Sequence, residues 1–202
     1  MKLYTSIGPN PHVVRMFMAE AGIEVPEEKV DILKGVNRES EYLSKNPSGQ
    51  SPCLELDDGS HIAEITAICE YLADRQGGSP LIGSTPEERG ETRMWTRRVD
   101  LNICEPLANG FRFGEGLRMF QSRIRCIPEA SDGLKAIAQD KIAWLDAQMD
   151  GRQFLCGDRI SLADILLYCF LAFGKTVGQD IAPENANVTA WFERMKARPS
   201  SA

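Results

Sequence analysis

In the stretch GSHIAEITAICEYL, residues 59–72, a carboxylate stands where strand chemistry gives way to helix chemistry. His61, Ile62 and Ala63 continue an alternating run, and Ala67, Ile68, Tyr71 and Leu72 recur at helical spacing. Glu64 therefore sits at a helix mouth, where unpaired N–H groups and the helix dipole favour negative charge. Such a group either decorates the helix end, worth about 0.3–1 kcal/mol, or grips the ammonium group of a ligand. A second polar residue, Asn10, precedes Pro11 in SIGPNPHVVR, and Asn at the cap with Pro after it is a favoured helix start. The six cysteines, Cys53, Cys69, Cys104, Cys126, Cys156 and Cys169, include no C-x-x-C pair, which argues against a dithiol redox motif or a zinc knuckle. The two histidines, His12 and His61, lie far apart in sequence, which argues against a His-rich metal site.

The elements that must position these groups fall into two halves. KLYTS has strand chemistry, and NPHVVRMFMAEAGI places Val13, Val14, Phe17, Met18 and Ala21 on one helical face and stops at Gly22. EEKVDIL reads as a second strand and NRESEYLSKN as a short polar helix. CLELDD, the turn Asp58-Gly59 and HIAE read as a hairpin. A helix follows, giving the order β-α-β-α-β-β-α. The Gly-, Pro- and Ser-rich tract that starts at residue 77 reads as a linker, and beyond it the signals are helical. The division expected is 1–76, a linker 77–86, and an all-α domain 87–202. In RISLADILLY, Ser161 and Asp164 have capping-box spacing, and Ile160 and Ile165 occupy the positions of a hydrophobic staple. This is a folding signal rather than a chemical one.

Bulk properties narrow the function. The chain has 202 residues, 43% of them hydrophobic, with a net charge of -6. That is enough for a sizeable core, and an acidic chain repels phosphate backbones, so no nucleic-acid partner is expected. The longest apolar run, ILLYCFLAF at 165–173, is nine residues, whereas a membrane span needs about 20, so no membrane partner is expected. The amino terminus MKLYTS carries no apolar leader, and with reduced cysteines the expected location is cytoplasmic.

Three segments in order resemble those of the cytosolic glutathione transferases. NPSGQSPCLELDDG is similar to that family's N-P-x-G-x-V-P segment, IAEITAICEYL to its E-S-x-A-I-x-x-Y-L segment, and GDRISLADILLY to its second-domain capping-box segment. The resemblance implies an α/β thioredoxin-like N-terminal domain followed by an all-α C-terminal domain, with glutathione as co-substrate and no metal. It implies a cis Pro52, with Ser51 offering its backbone N–H and C=O to the peptide-like ligand. It implies that Glu64 binds the ligand's α-ammonium. The next residue, usually Ser, is here Ile65, leaving its backbone N–H for the α-carboxylate and Thr66 as a substitute hydroxyl.

The group that holds the glutathione sulfur as thiolate has two candidates. SIGPNPHVVR resembles the nu class and its fungal relatives, whose P-N pair places an asparagine at the sulfur, which gives Asn10. Gly8 replaces the nu-class hydroxyl two residues earlier. Ser6, at the end of the first strand, is the alternative. LKGVNRESEY resembles the family segment whose histidine meets the glycine carboxylate, which gives Asn37, and Gln50 matches a Lys or Gln with the same role.

The implied function is attack of glutathione thiolate on a small hydrophobic electrophile, extending to glutathione-dependent disulfide reduction. The electrophile is expected against residues 93–120, where Met94, Trp95, Phe111 and Phe113 are apolar options and Arg97 or Arg98 could meet an acidic substrate. The resemblance also implies a homodimer and a detoxification role. Two readings compete: a non-catalytic binding or scaffold module on the same fold, and a carrier of hydrophobic ligands.

Overall fold

A computed structural model describes residues 1–201. Strand β1 (Lys2–Thr5) opens the chain, and Gly8, at φ 111°, turns it into helix α1 (Pro9–Ala21). The helix starts two residues earlier than its Asn-Pro pair suggests: Gly8 is the cap, Pro9 the first helical residue, and Asn10 lies within the first turn. Pro9 tolerates this place because its missing N–H would have had no partner there. Val13, Val14, Phe17 and Met18 are buried, and Gly22 ends the helix at φ 66°.

Strand β2 (Glu27–Lys29) is three residues long, shorter than EEKVDIL suggests. Asp31 accepts hydrogen bonds from the N–H groups of Leu33 and Lys34, a side-chain turn that takes the chain off the sheet. Helix α2 (Ser40–Lys45) and strands β3 (Cys53–Glu55) and β4 (His61–Ala63) follow. The sheet order is β2-β1-β3-β4, with β1 and β2 parallel and the other pairs antiparallel. Leu54 faces Leu3 on one side and Ile62 on the other. Gly59, at φ 82°, supplies the left-handed hairpin position expected of Asp-Gly.

Helix α3 (Ile65–Arg75) buries Ile68, Cys69, Leu72 and Ala73. Its inward face is centred one position later than the sequence reading: Ala67 is exposed and Tyr71 half-buried. In the segment that follows, Ser79, Leu81 and Ile82 are buried. It is pinned by Leu162 N–H to the Leu81 carbonyl at 2.8 Å and by Arg159 to the Pro80 carbonyl at 2.9 Å.

The remainder is helical: α4 (Pro86–Val99), α5 (Glu105–Phe113), α6 (Leu117–Phe120), α7 (Ser131–Gln148), α8 (Leu162–Thr176) and α9 (Ala186–Lys196). A π-helical turn, Asp100–Cys104, joins α4 to α5. Pro106 explains its place, since a proline inside a helical run has no N–H for the preceding turn. Helix α8 is buried along most of its length and belongs to a core that runs from Leu3 and Phe17 through Ile68 to Trp191.

At its start the expected capping box is present. Asp164, fully buried, accepts from the Ser161 N–H at 2.9 Å and hydroxyl at 2.7 Å, from Leu155 N–H at 2.9 Å, and from the Trp191 indole at 2.9 Å. One carboxylate thus ties α8 to α9 and to the preceding loop. Among the described residues no helix is long and apolar enough to cross a membrane.

Candidate functional site

The mouth of α3, the start of α1 and the loop before β3 meet α5 and the π-helical turn in a cleft. It holds two adjoining cavities of about 340 and 290 Å³ that share Asn10, Gln50, Ser51 and Arg112. They differ in chemistry.

The larger cavity is polar. Glu64, Ile65 and Thr66 border it from the first half, and Asp100 and Glu105 from the helical half. Glu64 caps α3 at φ 70°, ψ 121°, the one non-glycine positive φ among the described residues. A backbone outlier of this kind costs about 1–3 kcal/mol and persists where surrounding structure imposes it. Its carboxylate is exposed, makes no capping hydrogen bond to its own helix, and enters no ion pair with a described residue. Burial, and then the neighbouring Glu105 and Glu64 carboxylates, hold Asp100 above the ordinary aspartate range against the pull of Arg97. Three acids therefore converge on one cavity next to the free N–H groups of a helix start, a pairing suited to a ligand that carries both an ammonium and a carboxylate.

The Ser51–Pro52 bond is cis. The Ser51 N–H and C=O make no backbone hydrogen bond to another described residue, and its buried hydroxyl has no partner. The loop before it is tightly held. The Gln50 carbonyl accepts from the Tyr42 hydroxyl at 2.6 Å and the Asn46 amide at 2.8 Å, leaving the Gln50 side chain exposed. Burial pushes the Tyr42 phenol up to about 12, so it remains a donor at neutral pH. Gly49 sits at φ 62°, where an added Cβ would meet Arg38 Nη1 at 2.8 Å and the Asn37 carbonyl at 3.0 Å. Asn37 is buried, not solvated as a loop residue would be, and donates to the Gly49 carbonyl at 2.7 Å. Its side-chain oxygen is unpartnered.

The smaller cavity is mainly apolar. Ile7, Pro9 and Ile32 line one wall, and Phe111, Phe120 and Phe173 the other. Phe111 meets Phe173 edge-on at 5.0 Å and Phe120 edge-on at 6.0 Å between ring centres. Ser6 and Asn10 border this cavity at the α1 start. The Ser6 hydroxyl is buried and donates to the Ile7 carbonyl at 3.2 Å. Asn10 alone of the two reaches both cavities. Pro9 and Pro11 lack N–H groups and the His12 N–H turns back to the Gly8 carbonyl at 3.4 Å, so Asn10 supplies the free backbone donor of this first turn. With the helix beginning at Pro11, that role would have fallen to His12 and Val13.

The sequence reading of the second wall is corrected in part. Phe111 lines the cavity. Met94, Trp95, Phe113, Arg97 and Arg98 line neither cavity. Trp95 is buried beside Trp144, and Arg98 lies over its ring at 5.1 Å. Arg38, Asp100, Glu105, Arg112, Phe120 and Arg123 line the cavities instead. The π-helical turn inserts an extra residue between α4 and α5, so the face read along α4 does not continue. Pro106 was the visible signal.

Other reactive groups lie elsewhere. The Tyr4 hydroxyl donates to Glu55 at 2.6 Å outside the cleft, and burial with that bond raises its pKa. Burial lowers His12, helped by Arg15. All six cysteines are free, and burial pushes Cys53 up to about 11 and raises Cys69, Cys104, Cys156 and Cys169. Among the described residues no group of three His, Cys, Asp or Glu is arranged to hold a metal ion.

Residues 7–75 match the family described as "Glutathione S-transferase, N-terminal domain", and residues 130–199 match "Glutathione S-transferase, C-terminal domain". Glutathione S-transferase 2 of Saccharomyces cerevisiae is 32% identical over 203 residues, covering 97% of this chain and 85% of that protein. The crystal structure of Gtt2 from Saccharomyces cerevisiae superposes with a TM-score of 0.93 at 32% identity, covering 100% of this chain and 98% of the other. That of a glutathione S-transferase domain-containing protein from Marinobacter aquaeolei superposes with a TM-score of 0.94 at 34% identity, over 100% of both chains. The chain belongs to the glutathione S-transferase family.

Proposed function

We propose that this glutathione transferase seats the γ-glutamyl end of glutathione in the polar cavity and a small hydrophobic electrophile in the apolar one, with the thiol at their junction. The observation that carries this reading is Glu64, an unpaired carboxylate on a strained cap, lining with Asp100 a space bordered by free helix-start donors. Glu64 and Asp100 hold the ammonium, and the N–H of Ile65 with Thr66 holds the α-carboxylate. Ser51 pairs its open backbone groups with the cysteinyl unit, and Asn37 and Gln50 border the glycine end.

The thiol must react as thiolate. Lowering a thiol pKa by two units requires about 2.7 kcal/mol of preferential thiolate binding. We assign this to Asn10, which lines both cavities and keeps a free backbone N–H, with Ser6 as the alternative. The thiolate donates its electron pair to an electrophilic carbon, the C–S bond forms, and the leaving group departs with its electrons or a proton is taken up. In disulfide reduction the same thiolate attacks sulfur, and glutathione supplies both sulfurs because the buried protein thiols stay protonated.

We further read the division of the chain as 1–76, 77–86 and 87–202. We expect a two-fold dimer, supported by exposed Met94 and Leu101 along α4 and the turn after it. A cytoplasmic place and a detoxification role are supported by the free thiols and the open apolar cavity. The testing experiment is calorimetry with reduced glutathione, followed by turnover of 1-chloro-2,4-dinitrobenzene. Binding without turnover would leave the non-catalytic reading in place.

A further inference from the structure

The apolar cavity carries a charge that the chain as a whole does not. The protein is net -6, yet no Asp or Glu lines this cavity, while Arg38, Arg112 and Arg123 do. Arg112, on α5, and Arg123, in the segment after α6, flank the ring of Phe120 from 5.9 and 6.0 Å. Neither guanidinium is neutralised by a close bidentate carboxylate. Arg123 donates to the Ile32 carbonyl at 2.8 Å, and Arg112 to Asn109 at 2.9 Å, with the Glu105 carboxylate at 3.6 Å. Arg38 approaches from beside Asn37, the end given above to glutathione's own glycine carboxylate. Arg112 and Arg123 approach from the helical half, against the aromatic wall of Phe111, Phe120 and Phe173. Guanidinium groups beside an apolar wall bind planar anions well, because charge-assisted hydrogen bonds strengthen where water is sparse.

We infer that Arg112 and Arg123 form a carboxylate-binding subsite for the second substrate, so that the preferred electrophile is an apolar, aromatic-sized body bearing an acid group. The inference rests on the transferase reading and adds the substrate class to it. A matched pair of probes isolates the acid group: 4-chloro-3-nitrobenzoate and its methyl ester. In both, glutathione thiolate forms a C–S bond at the chlorine-bearing carbon, the nitro-activated ring carries the electron pair, chloride leaves with it, and the thiol proton goes to solvent.

The readout is kcat/KM for acid over ester, each divided by its uncatalysed rate with glutathione. A preference for the acid of about tenfold or more is expected, the size of one charge-assisted contact. In Arg112→Leu/Arg123→Leu it should fall to about twofold or less, and in Arg123→Leu alone, at a residue that lines only the apolar cavity, it should fall with the calorimetric Kd of glutathione unchanged. If the double variant loses thermal stability, Arg112→Gln and Arg123→Gln are measured singly. Equal treatment of acid and ester by the wild type, or a preference that survives the substitutions, would overturn the subsite. So would a loss of glutathione affinity as large as the loss of preference, because the arginines would then be holding glutathione itself. Should neither probe turn over, displacement calorimetry with the two preformed thioether products reads the same ratio, so failure of the chemistry is separable from failure of the subsite.

Discussion

Two carboxylates at two helix starts, Glu64 at α3 and Asp164 beside the start of α8, carry the same charge and are used in opposite ways. Asp164 is fully buried and accepts four hydrogen bonds from Ser161, Leu155 and Trp191. Glu64 is exposed, strained at φ 70°, and leaves its own helix uncapped. A carboxylate whose lone pairs are satisfied within the chain is a folding device. One left open on an unfavourable backbone represents stability set aside for something outside the chain. The contrast separates structure from function at two sites that look alike as acids near helix starts.

Substitutions should divide along that line. The largest effect is expected at the satisfied acid: Asp164→Ala strands the Trp191 and Leu155 donors in the core and should cost about 3–5 kcal/mol of stability. Urea denaturation checks this, and a loss of less than 1 kcal/mol would remove the network's structural role. Glu64→Ala should leave stability near wild type and weaken glutathione binding by about 1.5–3 kcal/mol, the range for a hydrogen bond to a charged group. Glu64→Gly sharpens the comparison, because glycine accepts positive φ without strain. It should stabilise the fold by about 1 kcal/mol while losing the same affinity, read as a higher Tm with a weaker Kd. Asn10→Ala should raise the pKa of bound glutathione's thiol, followed by thiolate absorbance near 240 nm, and lower kcat by about tenfold. If Ser6→Ala does this and Asn10→Ala does not, the alternative donor is the right one.

The smallest effect concerns pH. Because Asp100 is held above its ordinary range, it keeps its proton to a higher pH than a free aspartate. An ammonium prefers the carboxylate, so glutathione affinity should rise with pH through that raised value and fall on acidification. Asp100→Asn should flatten this dependence in calorimetry between pH 4 and 7. A slope unchanged in the variant would place the titrating group elsewhere.

Much of this was legible in the sequence, and the exceptions have physical causes. The order of strands and helices follows from alternation, helical spacing and turn residues, and the capping box from two residues at fixed spacing. Glu64 was visible as an acid at a changeover, but its φ was not, since no side-chain pattern reports a strained cap on a non-glycine residue. The α1 start was misplaced because Asn-Pro and Gly-Pro signals overlap within four residues. The second wall was misread because periodicity cannot see an inserted residue. Arg112 and Arg123 come into the cleft only after the π-helical turn has shifted the phase of α5 and the short α6 has folded back.

The most direct test of the central claim is calorimetry of wild type and Glu64→Ala with reduced glutathione at pH 7, with thermal midpoints recorded for both. The account predicts micromolar to low-millimolar binding by the wild type, a loss of about tenfold or more in the variant, and a midpoint that does not fall. Equal affinity in the two proteins, or lost affinity accompanied by lost stability, would contradict it and make Glu64 a structural acid like Asp164.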